Sequence, residues 1–256
     1  MLELLDHPER IRELRLARPP VNALDLDLLR ALHSAVRAAG DQCDALVVTG
    51  APGVFSAGLD VPGLLQRDRA AVLQAFAELW HVQHAIATSP MPVVFGITGH
   101  CPAGGTVLAM HGDYRVFAQG EFRIGLNEVQ VGLFPGGVLH DAFRRLVGGH
   151  AAQLLSRGAL IDPATALRVG LVDELVDANH CVARALEVAR EFCALPREPM
   201  LRTRALARRD LIQMFGAPSD ADAHAGEFAA MGADLFLAPA TQERLRAMFV
   251  RKKAAH

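Results

Sequence analysis

The chain has 256 residues, 51% of them hydrophobic and 21% charged. That is long for one small domain, short for two full ones, and suited to a globular chain with a buried core, which excludes disorder and a disulfide-stapled mini-fold. Lys and Arg number 26 against 28 Asp and Glu, a formal net charge of −2, so no global basic field exists to hold nucleic acid.

No apolar run approaches the roughly 20 residues that span a bilayer, so no membrane partner is expected. The N-terminus, MLELLDHPER, carries early acids and lacks the basic start and apolar block of a secretory signal. Cys43, Cys101, Cys181 and Cys193 are far apart, with no C-x-x-C pair. They read as reduced thiols, and the expected location is cytoplasmic.

Up to about residue 177 the sequence alternates strand-like runs with helical patterns. Ile11–Leu16 reads as a strand that ends at Pro19-Pro20. Residues 25–39 follow as a helix, with Leu28, Leu29, Leu32, Ala35, Val36 and Ala39 on one face and Gly40 as its stop. Ala45–Thr49 is a continuous apolar run suited to a buried parallel strand. Residues 69–88 form a second helix, Val93–Ile97 another buried strand, and a third helix starts near Gly104. Tyr114–Phe117 is a further strand, and a helix begins near Gly137. This order predicts an α/β core with crossovers and a mostly parallel sheet. Residues 1–177 would form that core. Residues 178–256 would be a helical region packing on the core or a neighbouring subunit, with helices over 179–194, 197–213, 221–236 and 240–253.

Two glycine-bearing loops follow predicted parallel strands, where ligands of α/β proteins bind. One is Phe55-Ser56-Ala57-Gly58-Leu59-Asp60 and the other Cys101-Pro102-Ala103-Gly104-Gly105-Thr106. Facing one another, they would offer main-chain amides to a developing oxyanion; alternatively their glycines serve only tight turns. Dinucleotide and P-loop fingerprints are absent, and the serine of Gly53–Gly58 sits one place too late for a nucleophile elbow. Among the eleven histidines, His81 and His84 are spaced i, i+3 on a helix with no third ligand evident, so no metal is expected. Glu128 is a single carboxylate in the apolar, glycine-flanked run Ile124–Gly137. It is either a buried acid suited to taking and returning a proton, or a surface or helix-capping carboxylate.

Taken together these segments resemble the crotonase (enoyl-CoA hydratase/isomerase) superfamily, and within it the mitochondrial-type Δ3,Δ2-enoyl-CoA isomerases. The resemblance is carried by Pro20-Val21-Asn22, Gly53–Asp60, Cys101–Gly105, Gly112-Asp113-Tyr114-Arg115 and Ile124–Glu128, in order and at family spacing. It implies a spiral of ββα units with a helical C-terminal region, assembly as a homotrimer or dimer of trimers, and a coenzyme A thioester as substrate with no further cofactor. It also implies that the amides of Leu59 and Gly104 hold the thioester oxygen, with Glu128 as the proton shuttle. Ala57, Gly58, Gly105, Val107, Leu126, Asn127, Phe134 and Pro135 would line the substrate, Ala57 toward the adenine and pantetheine end; for Phe134 and Pro135 the alternative is a core role. Asp60 and Asp113 would be loop-fixing carboxylates. Arg244, Arg246, Arg251, Lys252 and Lys253 would either meet CoA phosphates or form a solvated face.

One departure separates family members. The hydratases carry two glutamates, and the first of those positions is Val107 here. Moving a double bond needs one proton-transferring group, whereas hydration needs water held and activated as well. The resemblance therefore implies isomerisation of a 3-enoyl-CoA to the conjugated 2-enoyl-CoA. The rival readings are a hydratase or another crotonase-type acyl-CoA enzyme, and a non-catalytic acyl-CoA-binding protein.

Overall fold

The computed structural model describes residues 1–216 and 218–254, with side chains described through residue 248 except at residue 218. Its strands are β1 (Leu2–His7), β2 (Ile11–Leu16), β3 (Ala45–Thr49), β4 (Gly53–Val54), β5 (Val93–Ile97), β6 (Gly99–Pro102), β7 (Tyr114–Ala118), β8 (Ile124–Gly125) and β9 (Glu174–Val176). The helices of the first half are α1 (Leu26–Ala39), α2 (Val61–Leu64), α3 (Arg69–Ala87), α4 (Gly104–Ala109), α5 (Gly136–Val147), α6 (Ala151–Arg157) and α7 (Pro163–Arg168). Those of the second half are α8 (Cys181–Ala194), α9 (Arg197–Ala207), α10 (Arg209–Met214), α11 (Ala221–Leu237) and α12 (Pro239–Ala254). No described helix is long and apolar enough to cross a membrane.

The strands form a six-stranded sheet, β1-β2-β3-β5-β7-β9, and a three-stranded sheet, β4-β6-β8. Only β1 and β2 pair antiparallel. The chain repeats a ββα step: β3-β4, β5-β6 and β7-β8 each give one strand to either sheet before turning into helix. This is the crotonase spiral, an α/β fold with a helical C-terminal region.

Both faces of the larger sheet are covered, which is why β3 and β5 are buried at every position rather than at alternate ones. Leu46, Val48, Val93, Phe95 and Ile97 face the core that contains residues of α1 and α3. Ala45, Val47 and Val94 face the opposite cluster, built on Cys181, Ala185, Val188 and Ala189 of α8. At Gly96 a Cβ would lie 3.2 Å from that of Ala185, so the missing side chain admits the helix. The face of α1 buries the six residues that its spacing marks, and Asp25 caps it by accepting from the Leu28 N–H.

Two differences from the sequence expectations have physical causes. Leu2–His7 is a strand because it pairs with β2 at the sheet edge, where Glu3, Leu4 and Asp6 are exposed and no clean polar–apolar alternation marks it. The helix expected over 197–213 breaks at Arg208, whose guanidinium turns inward onto the carbonyls of Ile86, Ala87 and His111. The short elements α6, α7 and β9 were not expected at all. Arg244 and Arg246 are exposed on α12, and the side chains of Arg251, Lys252 and Lys253 lie outside the described residues.

Candidate active site

The first glycine loop is laced to the segment that precedes α1. Ser56 Oγ donates to the Asn22 carbonyl (2.8 Å) and accepts from the Gly58 N–H (3.1 Å), while Asn22 Nδ2 donates to the Phe55 carbonyl (3.0 Å). The N–H groups of Leu24 and Asp60 donate across the same seam, to the carbonyls of Gly58 and Leu24. These bonds leave the Leu59 N–H with no acceptor among the described residues. Gly58 has φ +86°, a region that glycine enters without penalty.

The second loop turns at Ala103, whose φ of +48° is strained for a residue with a side chain. Its N–H donates to the Gly125 carbonyl (2.8 Å), and α4 begins at the next residue with the Gly104 N–H unsatisfied among the described residues. The two loops touch. A Cβ on Gly58 would lie 3.0 Å from the Gly104 nitrogen, and one on Gly104 would lie 3.2 Å from the Leu59 nitrogen. Two unsatisfied amides thus stand side by side, which is the arrangement that receives an oxyanion.

Thr106 ties this loop to β8. Its hydroxyl donates to the Cys101 carbonyl and accepts from the Gly125 N–H (2.9 Å). Three residues beyond Gly125 stands Glu128, the first residue of a 3-10 turn. Its side chain is half-buried, yet Oε2 is shut off from solvent and has no hydrogen-bond partner among the described residues. Burial pushes the carboxyl up from its ordinary 4.5 to about 7.

Both amides and Glu128 open on one cavity of about 640 Å³. Ala57, Leu59, Gly104, Val107, Asn127, Phe134 and Pro135 line it as well. Phe134 is 55% exposed, which excludes a core role for it. Three expected lining residues do not reach the cavity. Leu126 is buried in the core beneath it, while the 3-10 turn that starts at Glu128 brings Asn127 and Glu128 to the cavity. Gly58 and Gly105 instead allow the loops to pack, a Cβ on Gly105 falling 3.0 Å from the Ser56 carbonyl.

The cavity also has walls that sequence reasoning missed. Phe76 and Leu79 come from α3, Phe228, Met231 and Phe236 from α11, and Leu245 and Met248 from α12. At helical spacing these residues are indistinguishable from core. Arg18 was missed too; it sits at the cavity with 2.7 Å contacts to Asp25 and Asp60. Asp60 also accepts from the Gly63 N–H at the start of α2. Val107 is 1% exposed and presents only carbon to the chamber. Glu128 is therefore the one lining carboxylate, among the described residues, that no cation neutralises. A second, more open groove of about 520 Å³ contains Arg115, Arg145, Arg204 and Arg208, each already paired with an aspartate.

A spiral of ββα steps whose adjoining glycine loops offer paired amides to a carboxylate-bearing cavity defines the crotonase class. Residues 6–213 match the family model described as enoyl-CoA hydratase/isomerase, and the chain belongs to that family. It is 34% identical over 217 residues to human mitochondrial enoyl-CoA delta isomerase 1, covering 82% of this chain and 71% of the relative. It is 32% identical to a probable enoyl-CoA hydratase of Mycobacterium avium, over 75% of this chain and 76% of the relative. The crystal structure of human mitochondrial delta3-delta2-enoyl-CoA isomerase superposes with a TM-score of 0.88 at 28% identity, covering 99% of this chain and 98% of the other.

Proposed function

We propose that the protein moves the double bond of a 3-enoyl-CoA into conjugation, giving the 2-enoyl-CoA. The observation that carries this reading is Glu128, the one lining carboxylate among the described residues that no cation neutralises, in a cavity that also receives the unsatisfied Leu59 and Gly104 amides. The thioester oxygen binds between the Leu59 and Gly104 N–H groups. Ionised Glu128 removes a proton from carbon two, and the electron pair passes through the thioester carbonyl to give a dienolate. Each amide contributes about 3–4 kcal/mol to that oxyanion at the transition state. Protonated Glu128 then returns its proton to carbon four, so the balance closes within the substrate and one side chain.

Hydration is disfavoured by the carbon wall at Val107, where a second carboxylate would have to hold and activate water. The resemblance to human enoyl-CoA delta isomerase 1 supports the same choice. The test is a parallel assay on a 3-enoyl-CoA and a 2-enoyl-CoA, with products separated by chromatography and Glu128→Gln alongside. We expect conjugation of the first, no hydration of the second, and a loss of about 10²–10⁴-fold in the variant. Hydration of the second compound overturns the reading, as does near-native turnover by Glu128→Gln.

A further inference from the structure

Away from the cavity, α1 and α3 bring His33, Glu78 and His81 together. Glu78 Oε2 is 3.5 Å from His33 Nδ1 and 4.0 Å from His81 Nδ1. All three potential ligand atoms lie within 4.8 Å of one another. Both nitrogens of His81 are closed to solvent and have no hydrogen-bond partner among the described residues. Shielded polar atoms without protein partners are uncommon in a folded protein and call for one, such as a water or an ion.

We propose that His33, Glu78 and His81 form a site for a divalent transition-metal ion of the zinc class, linking α1 to α3 with one coordination position left for water. Two imidazole nitrogens and one carboxylate oxygen are the donor set of such an ion, whereas calcium and magnesium require oxygen throughout. Around four-coordinate zinc, ligand atoms about 2 Å from the metal sit about 3.3 Å apart. The present separations, up to 4.8 Å with the two rings stacked at 5.3 Å between centroids, exceed that value, so the side chains must turn inward on an ion. A supporting carboxylate stands behind the site: Asp222 Oδ1 of α11 is 3.4 Å from His81 Nε2. Its negative charge favours the tautomer with the proton on Nε2, which leaves the Nδ1 lone pair free for a metal.

Charges of both signs surround the group. Burial pushes His33 down, toward the neutral form that ligates. Arg30 lies 3.9 Å from the second oxygen of Glu78, and Arg37 adds positive charge nearby, against the negative charges of Glu78 and Asp222. His84 is not part of the group; its ring packs edge-on against Phe215 with centroids 5.8 Å apart. The ligand missing from the i, i+3 reading of the sequence comes from another helix.

The test uses the full chain, stripped with a chelator and titrated with Zn²⁺ by calorimetry and with Co²⁺ by visible absorption. We expect one ion per chain, a ligand-field spectrum of low-coordinate Co²⁺, and a melting temperature that rises with Zn²⁺. His33→Ala and His81→Ala should each weaken binding at least about tenfold and abolish the thermal shift. His180→Ala, an exposed histidine, should change neither. Binding of equal strength in the ligand variants overturns the proposal as adventitious surface capture. Should a variant fail to fold, Glu78→Gln replaces it, and absence of a stoichiometric Co²⁺ spectrum in the wild type is decisive against the site.

Discussion

At the scale of single residues, Glu128 governs both chemistry and pH response. Its carboxyl is pushed up to about 7 by burial, and the ionised form is the proposed base. The rate of isomerisation, as kcat/KM, should therefore rise with pH on a limb with an apparent pKa near 7; a flat profile from about pH 6 to 8 contradicts the assignment. The same shift has a stability consequence. Because the folded value exceeds the ordinary 4.5, the favourable contribution is complete below that value and is lost as pH climbs through 7. Glu128→Gln removes this loss, so the variant should exceed the wild type above neutrality by about 1–3 kcal/mol and converge with it at acid pH. Urea unfolding at about pH 5 and about pH 8.5 measures the difference. Glu128 was legible because an acid flanked by glycine and apolar residues is conspicuous. Val107 was legible only against the family pattern, since a valine has no chemistry of its own to announce.

At the scale of elements, the two glycine loops are rigid because their neighbours hold them. Gly58→Ala should bring its Cβ within 3.0 Å of the Gly104 nitrogen and force a side chain into φ +86°. The backbone penalty is about 1–2 kcal/mol. We expect the fold to survive, with kcat reduced at least tenfold while the far-UV spectrum is unchanged; undiminished kcat would show that the loops tolerate displacement. The strands β3 and β5 and helix α1 were readable because burial on two faces, or on one stripe, writes a pattern into adjacent residues. The break at Arg208 was not. It depends on carbonyls of Ile86, Ala87 and His111, which no local pattern connects to residue 208.

At the scale of the molecule, one carboxylate fastens the helical region to the sheet. Asp113 accepts from the Val93 N–H (2.8 Å), from Arg204 Nε (2.8 Å) and from Arg208 Nη1 (3.0 Å). Arg208 is buried, and the side chains of Arg204 and Asp113 are largely shielded. Asp113→Ala would strand their charges, and urea unfolding should register a loss of about 3–5 kcal/mol. A change below 1 kcal/mol would mean that the joint is held elsewhere. The sequence placed Asp113 in a recognisable motif and gave it a loop-fixing part, but its arginine partners lie 91 and 95 residues away. The cavity walls from α11 and α12 are distant in the same sense. Long-range pairing is fixed by the topology of the spiral, which periodicity does not encode.

The paired amides of Leu59 and Gly104 have one more consequence. A donor that belongs to the main chain is silent in side-chain mutagenesis: exchanging Leu59 for any residue that keeps the loop leaves its N–H in place. In the proposed reaction half of the oxyanion site is thus free to drift in sequence while its polarising power is inherited through shape. Only an edit to the polymer itself, such as an ester in place of the amide at residue 59, would delete that donor and leave every side chain intact.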